Sequence, residues 1–120
     1  MIITLTPPQN ITHIDLGVSS PKLGGVIDIT GFTNLTTLIG DGNDITDFIL
    51  SDANDQLTDI RLNGNKLTGS GNQYMPPNVE VIQLLLNTLD EPLTDLSSFT
   101  QLRFIDCSFN FNMGGSPPLL

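Results

Sequence analysis

Residues 57–67 read LTDIRLNGNKL, and the same spacing of residue types recurs at four other places in the chain. In this copy aliphatic residues stand at the first, fourth, sixth and eleventh positions, and an asparagine stands at the ninth. The five copies begin at residues 11, 35, 57, 79 and 102, so successive starts are 24, 22, 22 and 23 residues apart. A fixed period in this range predicts a solenoid, in which each repeat stacks on the one before it.

Each copy alternates apolar and polar residues around its third to seventh positions, which is typical of a strand with one buried face. Stacked repeats would place five such strands side by side in parallel, about 4.8 Å apart. Two of the connecting segments carry apolar residues at every third position, which predicts 3₁₀ or short helical turns: Val26, Ile29, Phe32, Leu35 and Leu93, Leu96, Phe99, Leu102. Segment 48–56 is expected to hold a short helix, and the Gly- and Pro-containing segment 68–78 an extended loop.

The repeated run resembles the leucine-rich repeat family, in particular the internalin-like bacterial or phage-type repeats of this length. The resemblance implies an α/β solenoid: a right-handed superhelix with about five short parallel strands and a convex side of 3₁₀ turns, short helices or loops. It divides the chain into an N-terminal cap strand within 1–10, a repeat domain at 11–112 and a flexible tail at 113–120. Gly40 departs from the pattern at a sixth position, where neighbours should fill a shallow gap.

The resemblance also assigns a structural role to the asparagines at the ninth position. In the family this side chain turns inward and bonds to the backbone of adjacent loops, because tightly turning buried backbone leaves its polar groups unpaired. The implied ladder consists of Asn43, Asn65, Asn87 and Asn110.

Composition narrows the classes of function. Thirteen acidic and four basic residues give a formal charge of −9, which disfavours nucleic acid and adsorption to anionic membranes. No segment is long and apolar enough for membrane insertion, and the N-terminus lacks the features of a signal peptide, so a cytoplasmic or virion-associated location is expected. The single cysteine, Cys107, rules out an intrachain disulfide and is interpreted as a small buried hydrophobe.

Catalytic and metal-binding groups are sparse. A nucleophilic site would have to use His13, the only histidine, with Cys107 four strands away, beyond hydrogen-bonding reach. We therefore expect no enzyme, no cofactor and no metal site. The segment 40–44, GDGND, has calcium-binding character, but a structural turn is preferred because the loop that follows lacks the required ligands.

Function is expected on the variable positions of the strands. In the family the third, fifth and seventh positions build the concave face, and here this face is mostly polar in the first three repeats but apolar in the last two. Such a patch with charged neighbours is typical of a protein contact. The protein-binding hypothesis comprises Val81, Leu85, Phe104, Ile39, Arg61 and Asp106, with Leu86 and Phe109 near the rim.

The C-terminal tail adds a second expectation. Met113, Leu119 and Leu120 would form an apolar assembly tail after a last repeat that needs covering. The resulting hypothesis is a non-catalytic structural or decoration subunit of a larger assembly, such as a phage virion, docked to a protein partner or to copies of itself. The alternative is a free-standing recognition or adhesion module that binds a protein on its concave face.

Overall fold

The computed structural model describes residues 2–4 (backbone), 11–17 and 20–110, and the structural statements below refer to this part of the chain. Eight strands follow one another along it: β1 (Ile2–Thr4), β2 (His13–Asp15), β3 (Gly24–Asp28), β4 (Thr37–Ile39), β5 (Asp44–Ile49), β6 (Asp59–Arg61), β7 (Val81–Gln83) and β8 (Phe104–Asp106). They form a five-stranded main sheet, in the order β2-β4-β6-β7-β8, and a three-stranded second sheet, in the order β1-β3-β5. All pairings are parallel.

The main sheet is in step with the sequence repeat. The third-position residues pair across it in the order His13, Thr37, Asp59, Val81 and Phe104. Each repeat therefore forms one turn of a parallel-strand solenoid, and four full turns separate β2 from β8. We number the turns 1 to 5 from their starts at residues 11, 35, 57, 79 and 102. The predicted solenoid with five short parallel strands is confirmed.

The core fills the space behind the main sheet. First- and fourth-position side chains of turns 2 to 4 are completely buried, as are the sixth-position leucines of turns 3 and 4: Leu35, Leu38, Leu57, Ile60, Leu62, Val79, Ile82 and Leu84 each have 0% exposure. Burying one such side chain contributes about 1.5–3 kcal/mol. In turn 5 the equivalent residues, Leu102, Ile105 and Cys107, are only half-buried. The core is therefore closed in the middle of the solenoid and open at its last described turn.

The opposite side differs from the α/β expectation. The described residues contain no α-helix, and one 3₁₀-helix, Gly71–Tyr74, is their only helical element. Here β3 and β5 run side by side with a bulge between Gly25 and Val26, and Gly25 adopts a left-handed φ of 82°. The apolar and β-branched residues of 44–49 form a strand because parallel pairing with β3 satisfies their backbone and buries Ile45 and Phe48.

Predictions for the connecting segments had mixed outcomes. The prediction of a short helix over 48–56 was wrong, because residues 48 and 49 are the end of β5 and turns follow them. The segment 68–78, expected to be extended, contains the 3₁₀-helix, which buries Tyr74 completely. The period of three does produce 3₁₀-type bonds: the Phe32 and Phe99 amides donate to the carbonyls of Ile29 and Leu96, both at 3.0 Å.

The gap at Gly40 is filled by its neighbours. A Cβ atom built there would lie 3.2 Å from Leu62 Cδ2, 3.5 Å from Phe48 Cζ and 3.7 Å from Ile45 Cδ1. Leu62 of the next turn, together with Phe48 and Ile45 of the second sheet, thus supplies the volume that this position lacks.

Candidate functional site

The ninth-position asparagines join neighbouring turns. Asn65, 6% exposed, donates from Nδ2 to the Gly40 carbonyl of the preceding turn at 2.8 Å and to the Leu62 carbonyl of its own turn at 3.2 Å. Its Oδ1 accepts from the Ile45 amide at 3.1 Å. Asn43, Asn87 and Asn110 repeat this arrangement. These side chains are committed to the backbone, so they are not available to a partner.

A further structural asparagine escaped the sequence analysis. Asn54 is completely buried; it donates to the Ile29 carbonyl at 3.0 Å, and its Oδ1 accepts from the Ser51 amide at 2.9 Å. It stands outside the repeated run, so no spacing marked it. The only signal was an isolated asparagine three residues before Leu57, at a place where the chain must turn.

The exposed face of the main sheet, formed by the third, fifth and seventh positions, corresponds to the predicted concave face. On turn 3 Arg61 binds Asp59 through two hydrogen bonds of 3.1 and 3.3 Å, and these contacts raise the pKa of the Arg61 guanidinium. Asp41 accepts from the Asn63 amide at 2.7 Å, and Asn63 Oδ1 accepts from the Leu85 amide at 2.9 Å. In turns 2 and 3 the seventh-position side chain thus accepts a hydrogen bond from a backbone amide of the next turn. In turn 4 this position is Leu85, whose side chain has no acceptor.

Apolar side chains take over where this polar series stops. Val81 pairs with Phe104 in the register of β7 and β8; Val81 and Leu85 are half-buried, whereas Phe104 is 46% exposed. Leu86 and Phe109 are 54% and 58% exposed. We call Val81, Leu85, Leu86, Phe104 and Phe109 the apolar patch. Three of the four large hydrophobic side chains exposed in the described residues belong to it.

The eighth position of each turn adds a conformational observation. Gly42 and Gly64 hold this position in turns 2 and 3 with φ values of 71° and 67°. Leu86 and Phe109 hold it in turns 4 and 5 with φ values of 56° and 59°. For a residue with a side chain, this left-handed conformation costs about 1–2 kcal/mol. The sequence analysis placed Leu86 and Phe109 at the rim, but it missed the conformation, for which the aligned glycines were the available signal.

Other predicted site residues lie apart from the patch. Ile39 on β4 is separated from β7 by β6. Arg61 is exposed and engaged with Asp59, and Asp106 accepts from the Ser108 amide at 2.9 Å. Of the predicted residues, the structure brings together Val81 and Phe104 as register partners, whereas Leu85 lies beyond Gln83 on the same face of turn 4. The assembly-tail residues Met113, Leu119 and Leu120 lie outside the described residues.

The reactive groups named in the sequence analysis are also separated. His13 lies on β2, and Cys107 directly follows β8, at the two ends of the main sheet. Burial, and then the charge of Asp106, raises the pKa of the Cys107 thiol to about 11, which keeps it protonated at neutral pH. In the calcium-like segment, Asn43 belongs to the ladder, Asp41 holds the Asn63 amide, and Asp44 lies 3.6 Å from Lys66 Nζ.

No group of three or more His, Cys, Asp or Glu side chains among the described residues is placed to hold a metal ion. None of the helices in that part of the chain has the length and apolar character needed to cross a membrane.

Comparisons with known proteins gave no match, whether against protein-family models, curated proteins or solved structures.

Proposed function

We propose that this chain is a non-catalytic leucine-rich repeat protein that works by protein–protein contact through the apolar patch, as a structural subunit of a larger assembly such as a virion. The family assignment is supported by the repeat length, the parallel strands and the asparagine ladder. The second sheet lies where the family has other elements. We interpret it as a variant of the side opposite the main sheet.

The observation that carries the proposed contact is the eighth position. Leu86 and Phe109 adopt a backbone conformation that suits glycine, and turns 2 and 3 use glycine there. Both side chains are more than half exposed. Residues in such a backbone conformation are often found at functional surfaces, and exposed apolar side chains grouped in neighbouring turns are typical of a protein contact.

Polar groups around the patch fit the same interpretation. The polar series of Asp41 and Asn63 ends at Leu85, and Arg103 pairs with Glu80 at 3.3 Å beside the patch. An apolar centre with a charged rim is the usual composition of a protein interface.

A free-standing recognition module is the second candidate. It is favoured by the exposed face of turn 3, where Asp59, Arg61 and Asn63 are hydrogen-bonded to neighbouring groups. Such a face needs no cover, and it leaves the patch as a local binding site on a monomer.

Light scattering after size-exclusion chromatography, over a range of concentrations, tests the proposal. If the chain is an assembly subunit, the wild type should form an oligomer or aggregate when isolated. The Leu86→Gly/Phe109→Gly double variant should be monomeric and more stable by about 0.5–1 kcal/mol per site, because glycine accepts the left-handed conformation. Phe104→Asp should also prevent association while preserving the fold.

The outcomes separate the candidates. A wild type that is a monodisperse monomer at high concentration would argue for the free-standing module. A double variant that associates as the wild type does would remove the patch from the contact under either candidate.

A further inference from the structure

The outer edge of β8 continues the geometry by which the turns stack. Within the described residues β8 has one neighbour, β7. At each internal junction the sixth-position amide donates to the fifth-position carbonyl of the next turn, as Leu62 does to Gln83 at 2.9 Å and Leu84 to Asp106 at 2.7 Å. The amide of Cys107 occupies the sixth position of turn 5. It therefore faces the place where the next fifth-position carbonyl would lie.

The core row also stops unfinished at this edge. Leu102, Ile105 and Cys107 are half-buried, whereas the equivalent residues one turn earlier, Val79, Ile82 and Leu84, have 0% exposure. What buries those residues is the stacking of the following turn, so the half-buried row marks a surface that fits one more strand with inward aliphatic side chains.

Among the described residues, the asparagine ladder leaves one acceptor at the same place with a single asparagine donor. The Leu84 carbonyl accepts from Asn87 of its own turn at 3.1 Å and from Asn110 of the next turn at 2.9 Å. The Cys107 carbonyl accepts from Asn110 at 2.9 Å, and no second asparagine of the described residues reaches it. An added segment with an asparagine at its ninth position would complete the pair.

Charge decides which strand fits. A second copy stacked in the same register would place its Ile14 opposite Ile105 but its Asp15 opposite Asp106. Between internal turns no two acids face each other at the fifth position, where the pairs are Asp15 with Ile39, Ile39 with Arg61, Arg61 with Gln83 and Gln83 with Asp106. Like charges directly opposite each other destabilise a sheet, so a second copy is disfavoured at this edge.

The basic side chains of the described residues leave Asp106 without a cation. The ion pairs are Arg61 with Asp59, Lys66 with Asp44 and Arg103 with Glu80. A lysine or arginine opposite Asp106 would supply the missing charge.

We propose that the edge of β8 receives an extended segment of a different protein, added as a sixth parallel strand. The segment carries an aromatic or aliphatic residue opposite Phe104, an aliphatic residue opposite Ile105 and a basic residue opposite Asp106. Backbone bonds give such strand addition its affinity, and alternate side chains give it specificity. The inference rests on the proposed function in taking this end of the solenoid as its contact with proteins, and it specifies the partner.

A peptide that follows the repeat spacing tests the inference on the whole chain. The probe is Leu-Thr-Phe-Ile-Lys-Leu-Ser-Gly-Asn, and its control has glutamate in place of lysine. In amide NMR spectra the lysine peptide should shift the signals of Ile105 and Cys107, and it should bind about five- to tenfold more tightly than the control, because an opposite charge replaces a like charge beside Asp106.

Charge reversal on the protein gives the decisive comparison. In Asp106→Lys the glutamate peptide should become the tighter ligand, whereas Asp52→Lys, the same charge change at an exposed residue outside the strands, should leave the order unchanged. The inference would be overturned if the two peptides bound with equal affinity, or if Asp106→Lys did not reverse which peptide binds more tightly. It would also be overturned if millimolar peptide shifted no amide signal.

Leu85→Asp keeps this test apart from the test of the proposed function. The variant should lose patch-dependent association while still binding the lysine peptide at the edge of β8. Association that depends on the patch, together with no peptide binding, would refute the strand addition alone. Peptide binding without any patch-dependent association would refute the patch alone.

Discussion

Replacing Asn65 with alanine should destabilise the protein far more than the same replacement at Asn63, two residues away. Asn65 is buried and connects two turns: its Nδ2 donates to the carbonyls of Gly40 and Leu62, and its Oδ1 accepts from the Ile45 amide. No buried side-chain nitrogen or oxygen among the described residues lacks a hydrogen-bond partner, so each of these bonds belongs to a fully paired interior. Asn65→Ala therefore leaves the Ile45 amide without this acceptor, and it removes one of the two asparagine bonds that the Gly40 and Leu62 carbonyls each accept.

The magnitude follows from those groups. A buried donor or acceptor left unpaired costs about 1–3 kcal/mol. Asn65→Ala orphans the Ile45 amide and removes one bond from the Gly40 carbonyl, which keeps its bond from Asn43. Together these changes give a loss of about 2–4 kcal/mol in the free energy of unfolding. Domains of this size are stable by only about 5–15 kcal/mol, so the variant should fold but with a much reduced margin.

Asn63→Ala is the matched control. Asn63 also makes two hydrogen bonds of 2.9 Å, to the Leu85 amide and the Gln83 side chain, but it lies half-buried on the exposed face. Water can replace the lost partner there, so the expected loss is about 1 kcal/mol. The two variants delete the same atoms from the same turn and differ mainly in burial.

Urea unfolding followed by circular dichroism measures both losses. With a denaturant slope of about 1–3 kcal/mol per molar, the midpoint of Asn65→Ala should fall by roughly 2 M, and that of Asn63→Ala by well under 1 M. Equal midpoints, or a larger effect at Asn63, would refute the view that the ladder holds the turns together.

Two further predictions concern the interior of the solenoid. Burial, followed by the charge of Asp47, raises the pKa of Tyr74. The free energy of unfolding should therefore fall as the pH rises above about 10, where the tyrosine of the unfolded chain ionises but the folded one stays neutral. This alkaline loss of stability should shrink in Tyr74→Phe, and phenolate absorbance should show no titration near pH 10 while the protein is folded. Gly40→Leu, which restores the repeat pattern, should destabilise the protein by about 1–3 kcal/mol, because Phe48 and Leu62 already fill the space. Gly40→Ala should be nearly neutral in urea unfolding. A stabilising effect of Gly40→Leu would contradict the packing described.

The sequence predicts the main sheet well because the repeat is a direct record of its packing. Inward side chains such as Leu57, Ile60 and Leu62 must recur at the same places in every turn, since each contacts its equivalents above and below. The ninth-position asparagines recur for the same reason. Any feature whose cause is stacking therefore leaves a period in the sequence.

The second sheet leaves no such record. Strands β3 and β5 occur in consecutive turns, but the 3₁₀-helix replaces a strand in turn 3, so no common spacing links these segments. Phe48 reaches into the gap at Gly40 across the core, which is a contact between layers rather than between repeats. Buried Asn54 likewise joins only one pair of turns, and a residue that acts once cannot be recognised by repetition.

The patch shows how the periodic record separates fold from function. Gly42, Gly64, Leu86 and Phe109 share one backbone conformation, and glycine adopts it at the lowest cost. The fold therefore makes the same demand of all four positions, and only turns 2 and 3 meet it. Turns 4 and 5 carry a leucine and a phenylalanine there instead, and both side chains remain mostly exposed. The change from glycine to large apolar residues coincides with the end of the polar series at Leu85. These two features change across neighbouring turns, and the proposed contact with another protein is based on them.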